Sequence, residues 1–264
     1  MRTTTVEAER GDRSGVARAT LFVLVGVVFV VFAISLDAGA TDSSATRVLL
    51  AALNGELEAV DPVERIVVND IRLPRSILGV MIGAALAISG AIMQGLFRNP
   101  LADPGIVGVS AGAGLGAVAF IVLGNGVLAP VASLLGIYDV PIAAFVGALV
   151  STFSLYRIST RQGRTSVATM LLAGIAIAAL ANAVTGYLVF RADLQQLRDL
   201  TFWQLGSIAG ATWLKVAAVA PILLPVFVLA PFLARGLNAM TLGEATAHHL
   251  GIRVQRFKRV AIVT

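Results

Sequence analysis

The sequence predicts an all-α polytopic membrane protein with six transmembrane helices and the start of a seventh. Three observations predict it. Hydrophobic residues make up 57% of the 264 positions and charged residues only 13%, about half of the roughly 25% usual in soluble domains. The mean hydropathy is +0.88. The remaining charges are clustered, and between the clusters lie uncharged runs close to the ~20 residues that cross a hydrocarbon core as a helix.

Composition also removes several function classes. There is no cysteine, so disulfides and thiolate metal sites are excluded. The formal charge of +5 does not indicate a nucleic-acid partner, because the arginines separate apolar runs instead of lining one soluble face. Orientation in a lipid bilayer explains them better.

The elements follow in chain order. Residues 1–18 form a basic tail with Arg10, Arg13 and Arg18, ahead of an uncharged run from Ala19 to Leu36. Ala38-Gly39-Ala40 resembles a signal-peptidase site. However, the 18-residue run rises ~27 Å as a helix and exceeds the core of about 7–15 residues usual in a signal peptide. We read it as a retained first span, so that residues 19–264 form one transmembrane domain. Further spans are expected near 76–97, 105–123, 140–156, 167–190 and 212–234. Gly124-Asn125-Gly126 and Pro130 end the span near 105–123. A seventh begins near Arg259, and the sequence stops at Thr264.

With the N-terminus in the cytoplasm, residues 1–18, 98–104, 157–166 and 235–259 face inward and hold 13 of the 20 basic residues. The outer loops hold ten of the 15 acids. The positive-inside rule favours this orientation. Tyr138, Tyr187, Phe190, Trp203 and Trp213 then form an outer aromatic belt, and Lys215 can snorkel outward.

The break between the second and third spans reads Phe97-Arg98-Asn99-Pro100-Leu101-Ala102-Asp103-Pro104. Arg98 suits a helix C-terminus. Asp103 can cap the next helix, with Pro104 at its first position, where no hydrogen bond is lost. The segment is therefore expected to be a tight cytoplasmic hairpin. The third span is expected to carry Gly108, Gly112 and Gly116 as a ridge, and the second Gly79 and Gly83. Such ridges let helix backbones pack closely. A phosphate loop is not indicated, since neither Lys nor Thr follows and no strand precedes.

Two charged constellations stand out. In Arg72-Leu73-Pro74-Arg75, Pro74 is placed to open the second span, which leaves Arg75 opposing the helix dipole at an N-terminus. Interfacial anchoring and an acidic external partner explain this equally well. In Thr241-Leu242-Gly243-Glu244, Thr241 and Glu244 are spaced as a capping box, and Gly251 is a natural C′ residue. A short helix over 242–250 on the cytoplasmic side is expected. Glu244 and His248 are two ligands without a third, so no metal is expected there. Neither Lys215 nor Lys258 follows a phosphate-loop pattern, so any ATPase must be another chain. The spans lack the Asp, Glu or His that ion-coupled transporters carry within them. A membrane enzyme would have little chemistry to work with.

The stretch RLPRSILGVMIGAALAISGAIMQGLFRNPLADPGIVGVSAGAGLGAV resembles the signature of FecCD-type permeases, the membrane subunits of ABC importers for ferric siderophores, haem and cobalamin. The likeness runs from about Arg72 to Val260. It implies a ten-helix fold, of which this sequence is an incomplete copy. It further implies an inner-membrane permease, not itself an enzyme and without cofactor, paired with a second copy and served by an ATPase and an extracytoplasmic binding protein. Arg72 and Arg75 would meet carboxylates of the binding protein. Leu242, Gly243, Glu244, Ala247, Leu250 and Gly251 would form the loop that inserts into the ATPase.

Residues 193–213 look most like the haem-type members. Arg191 and Arg198, near the outer mouth, are either attractors of an anionic ligand or ordinary loop arginines beside Asp193 and Asp199. Haem ranks first as cargo, ferric siderophore second and cobalamin third.

Overall fold

The structure is a computed structural model that describes residues 14–162 and 164–263. Most of the tail expected over residues 1–18 lies outside the described residues. The helices are α1 (Ser14–Asp37), α2 (Ala45–Asn54), α3 (Pro62–Ile66), α4 (Leu73–Phe97), α5 (Val109–Leu123) and α6 (Ala129–Leu135). They continue as α7 (Asp139–Ser159), α8 (Val167–Arg191), α9 (Leu194–Leu205), α10 (Trp213–Thr241), α11 (Glu244–His249) and α12 (Val254–Val263). Between α7 and α8 lies a small antiparallel pair, β1 (Thr160–Arg161) and β2 (Arg164–Thr165), with Thr160 opposite Thr165.

Among the described residues, five helical stretches are long and apolar enough to cross a membrane: Gly15–Asp37, Pro62–Phe97, Ala129–Ser159, Val167–Arg191 and Trp213–Thr241. The third expected span is shorter than the sequence suggested. Residues 104–107 form a 3-10 turn, and Gly108 breaks the path at φ +81° before α5 begins at Val109. The 15 residues of α5 rise ~22 Å. The sixth span overruns its expected end and continues to Thr241.

The chain divides into two compact units. The first comprises the described residues up to Val80 together with Ile208–Ala217. The apolar face of α1 is exposed almost throughout, with Phe22 78% accessible, as a lipid-facing helix requires. Beyond it, Asp37 accepts the Ala45 N–H (2.6 Å) and Ser44 caps α2 through the Arg47 N–H. Helix α2 ends at Gly55 in the left-handed region, φ +73°, with Gly55 and Glu56 N–H groups closing back on Ala52 and Ala51. That is a Schellman ending, which glycine permits. Ala45, Val48, Val60 and Val68 make the small core.

The entry to α4 corrects the sequence expectation. Pro74 does not open the helix. Asp61 and Pro62 start it, twelve residues earlier, and a π-helical turn over Val67–Arg72 joins α3 to α4. The reason lies in Pro74 itself. In an unbroken α-helix its ring would clash with the Asp70 carbonyl. The wide turn shifts the ladder, so Leu73 donates to Val68 and Asn69 falls opposite Pro74, which has no N–H. Trp213 supplies the missing donor, its indole N–H reaching the Asn69 carbonyl at 2.8 Å. Arg75 therefore stands within a continuous helix, and the dipole argument for it lapses.

The second unit comprises Met81–Ser207 and the described residues from Ala218 onward. Its densest contact is α5 against α7, where backbones nearly touch. A Cβ on Gly112 or Gly116 would run into the Gly147 or Ala143 carbonyl, and one on Gly147 would run into the Gly112 carbonyl. Gly112 and Gly116 thus pack as expected, with Ala143, Gly147 and Ser151 as their partners. Gly108 lies outside the helix, yet is equally confined. Its carbonyl accepts the buried Ser151 hydroxyl at 2.7 Å, and a Cβ would meet the Gly174 carbonyl at 2.9 Å.

Gly79 and Gly83 do not form the expected ridge within this chain. A Cβ on Gly83 would meet nothing within 4 Å, and one on Gly79 only Ile208 at an ordinary 3.4 Å.

Candidate functional site

The hairpin after α4 has the expected bounds and a different cap. Arg98 takes the C′ position at φ +51°, and the Arg98 and Asn99 N–H groups close onto Gly95 and Gln94. Asn99 then folds the chain back, its Oδ1 accepting the Leu101 N–H (3.0 Å) and its carbonyl the Ala102 N–H (3.0 Å). Asp103 accepts the Gly105 N–H at 2.6 Å and so caps the 3-10 turn that Pro104 opens, not α5. Ala102 and Val107 anchor the hairpin in a core with Leu96, Phe97, Leu155 and Met170.

The expected helix over 242–250 forms only across Glu244–His249. The capping box does not form. Because α10 runs on to Thr241, that residue is helical and cannot take the extended conformation an N-cap needs. Its hydroxyl donates to the Asn238 carbonyl instead (2.7 Å). Gly243 makes the turn at φ +102°, a conformation side chains disfavour. The C-terminal expectation for Gly251 agrees with the structure. At φ +84° it donates to His248, while the Ile252 N–H reaches Ala247, completing a Schellman motif.

Ala247 is fully buried with Met240 and Val254, whereas Leu242 and Leu250 are 64% and 60% exposed. The helix therefore rests on one small residue, and the two leucines that flank it are turned outward. His248 and His249 are exposed. Among the described residues no three His, Asp or Glu side chains gather as a metal site.

Sequence reasoning passed over Lys258. The residue is 1% exposed, and its ammonium donates to Glu244 Oε1 at 2.7 Å and to the Thr165 carbonyl at 2.8 Å. The Thr165 N–H is held in turn by Gln255 (2.9 Å). A signal was available: Lys258 lies on the apolar stripe of Val254 and Ala261, at i+4 and i−3.

Arg72 and Arg75 occupy different settings. Arg72 is 6% exposed. Its guanidinium donates to the carbonyls of Leu36 (2.8 Å), Asp37 (2.8 Å), Thr41 (2.9 Å) and Ser43 (3.0 Å), and to the Thr41 hydroxyl (3.0 Å). Leu36 and Asp37 end α1, where carbonyls lack helical partners and a cation is favoured. Gly39 lets the loop close over the guanidinium, since a Cβ there would strike it. Arg72 is thus an internal clasp, and its expected role as an exposed docking residue is corrected. Arg75 is half-buried. It donates one bond, to the Ala209 carbonyl at 2.9 Å, while its buried Nε has no partner.

Arg191 and Arg198 are exposed. Arg191 lies 3.5 Å from the Tyr187 hydroxyl, and Arg198 stacks over Phe202 at 5.8 Å. Asp193 is engaged in a reciprocal capping box with Gln196 at the start of α9.

Long apolar helices, a capped hairpin and a short helix fixed beside the end of α10 define a multi-pass membrane protein of transporter type. The chain belongs to the FecCD transport family, which matches residues 27–264. It is 43% identical over 198 residues to the cobalamin import system permease protein BtuC of Halobacterium salinarum, covering 75% of this chain and 51% of that protein. It is 44% identical over 189 residues to the hemin transport system permease protein HmuU of Yersinia pestis, covering 72% and 55%. A solved structure of an inward-facing metal-chelate type ABC transporter superposes with a TM-score of 0.76 at 27% identity, over 93% of this chain and 71% of that one. The chain spans about half the length of these two curated relatives.

Proposed function

We propose that this chain serves as the membrane-spanning permease subunit of an ABC importer that moves an iron complex inward, with haem as the first candidate and a ferric siderophore next. The observation that carries the reading is α11. It is closed at its C-terminal end by a Schellman motif, and the exposed Leu242 and Leu250 flank it on either side, which suits the apolar grip of an ATPase subunit better than a bare loop. Glu244, Gly243, Ala247 and Gly251 then shape that contact. A binding protein docks through the half-buried Arg75, and a second permease copy completes the pathway. Arg191 and Arg198, both exposed, attract the anionic cargo.

Cobalamin is the alternative, favoured by the 43% identity to a cobalamin import permease. Uptake in a strain lacking its own importers tests the cargo. Hemin-dependent growth restored by the assembled system, without cobalamin rescue, is the expected result. Cobalamin uptake alone would reverse the ranking, and no uptake of any chelate would reject the import reading.

The orientation has an equally direct test, since the chain has no native cysteine. A membrane-impermeant thiol reagent added outside intact cells should label a cysteine at Glu56 and spare one at Arg161. Both positions are exposed in the structure. The reverse pattern would invert the topology.

A further inference from the structure

We propose that Lys258 is the positioning residue of the coupling site, holding α11 to the β1–β2 turn so that a force on α11 is delivered to α8 and α12 together. The proposal rests on the reading of α11 as the ATPase contact.

Three elements meet at one ammonium group. Lys258 belongs to α12, Glu244 to the first turn of α11, and Thr165 to β2, two residues before α8 begins. The bonds are 2.7 Å to Glu244 and 2.8 Å to Thr165. An ammonium group is costly to bury unless partnered, so these two acceptors are what hold a 1% exposed lysine in place. Gln255, on the same helix, takes the Thr165 N–H. Both backbone groups of Thr165 are thus bound to α12, and the strand end cannot move without it.

On the α11 side the tie replaces the cap that is missing. Gly243 offers no side chain, and Thr241 bonds backward to Asn238. A helix of six residues does not persist alone in water. Besides the packing of Ala247 and the Schellman closure, the Glu244–Lys258 pair links it to α12. The carboxylate's remaining oxygen and its 39% exposed side chain leave Glu244 free to meet a partner while Lys258 sets its direction.

The test uses the permease assembled with its ATPase in proteoliposomes, with spin labels at Thr246 on α11 and Arg161 on β1. Both sites are exposed. Lys258→Met keeps the apolar stem and removes the donor. Glu244→Gln, at a partly exposed site, keeps the fold and weakens the same bond. In Lys258→Met, the 246–161 distance distribution measured without ATPase should broaden. Cargo moved per ATP hydrolysed should fall several-fold.

Glu244→Gln should show a smaller change in the same direction, and the double variant no more than Lys258→Met alone. An unchanged distribution in both single variants would overturn the tie. So would additive losses in the double variant. A broadened distribution with normal transport per ATP would overturn its role in coupling. If the wild-type label at 246 is indifferent to added ATPase, the reading of α11 fails, and with it the role in coupling. The distance measurement without ATPase identifies that case separately.

Discussion

Arg72→Ala is expected to destabilise the folded protein by at least about 3 kcal/mol, because it strands several buried carbonyls at once. Leu36, Asp37, Thr41 and Ser43 all accept from this one guanidinium, and the turn that presents them is closed around it. Arg72→Lys should recover only part of the loss, since an ammonium cannot reproduce the planar fork. Thermal unfolding of the detergent-solubilised protein reads this directly. Arg75→Ala should change the same midpoint little, because it removes one bond, to Ala209, and relieves an unpartnered Nε. Charge reversal at Arg75 should instead weaken docking of the binding protein. A stable Arg72→Ala protein that fails only in docking would restore Arg72 to the outer surface.

Gly147→Ala should cost about 1–3 kcal/mol, the range for overpacking a close-packed interface, and Gly147→Leu should prevent folding. The added Cβ is aimed at the Gly112 carbonyl, and backbone cannot rotate away as a side chain can. The contrast is Gly114→Ala on α5, where a Cβ meets nothing within 4 Å. That change should be neutral or gain up to ~1 kcal/mol from helix propensity. Equal melting behaviour in the two variants would mean that α5 and α7 are not packed backbone to backbone.

Both expectations depend on details that local patterns cannot carry. The glycine spacing at 112 and 116 announced a close approach without naming the partner. Gly147, with no conspicuous repeat around it, gave no sign of being that partner. Gly79 and Gly83 have the same spacing, yet among the described residues a Cβ on either would meet no helix backbone within 4 Å. Spacing reports that a helix face is smooth, and only the arrangement of the other helices determines whether something lies against it.

The coupling site divides the same way. Gly251 was legible because a C′ glycine acts through its own φ and its immediate neighbours. The Thr241–Glu244 box was not, because it required α10 to end before Thr241, and it ends at Thr241. Lys258 carried a faint mark in its place on the apolar stripe of α12, but its partners are 14 and 93 residues away.

The sequence by itself determined the apolar helices, the hairpin at 98–103 and the family. Those properties depend on runs of about 20 residues and on caps within a turn. The tertiary structure alone decided that Arg72 is a clasp, that Pro74 sits inside a helix, and that Glu244 answers to Lys258. Each of those depends on which distant carbonyl, indole or ammonium group satisfies a buried polar atom, a pairing made only when the chain folds back on itself.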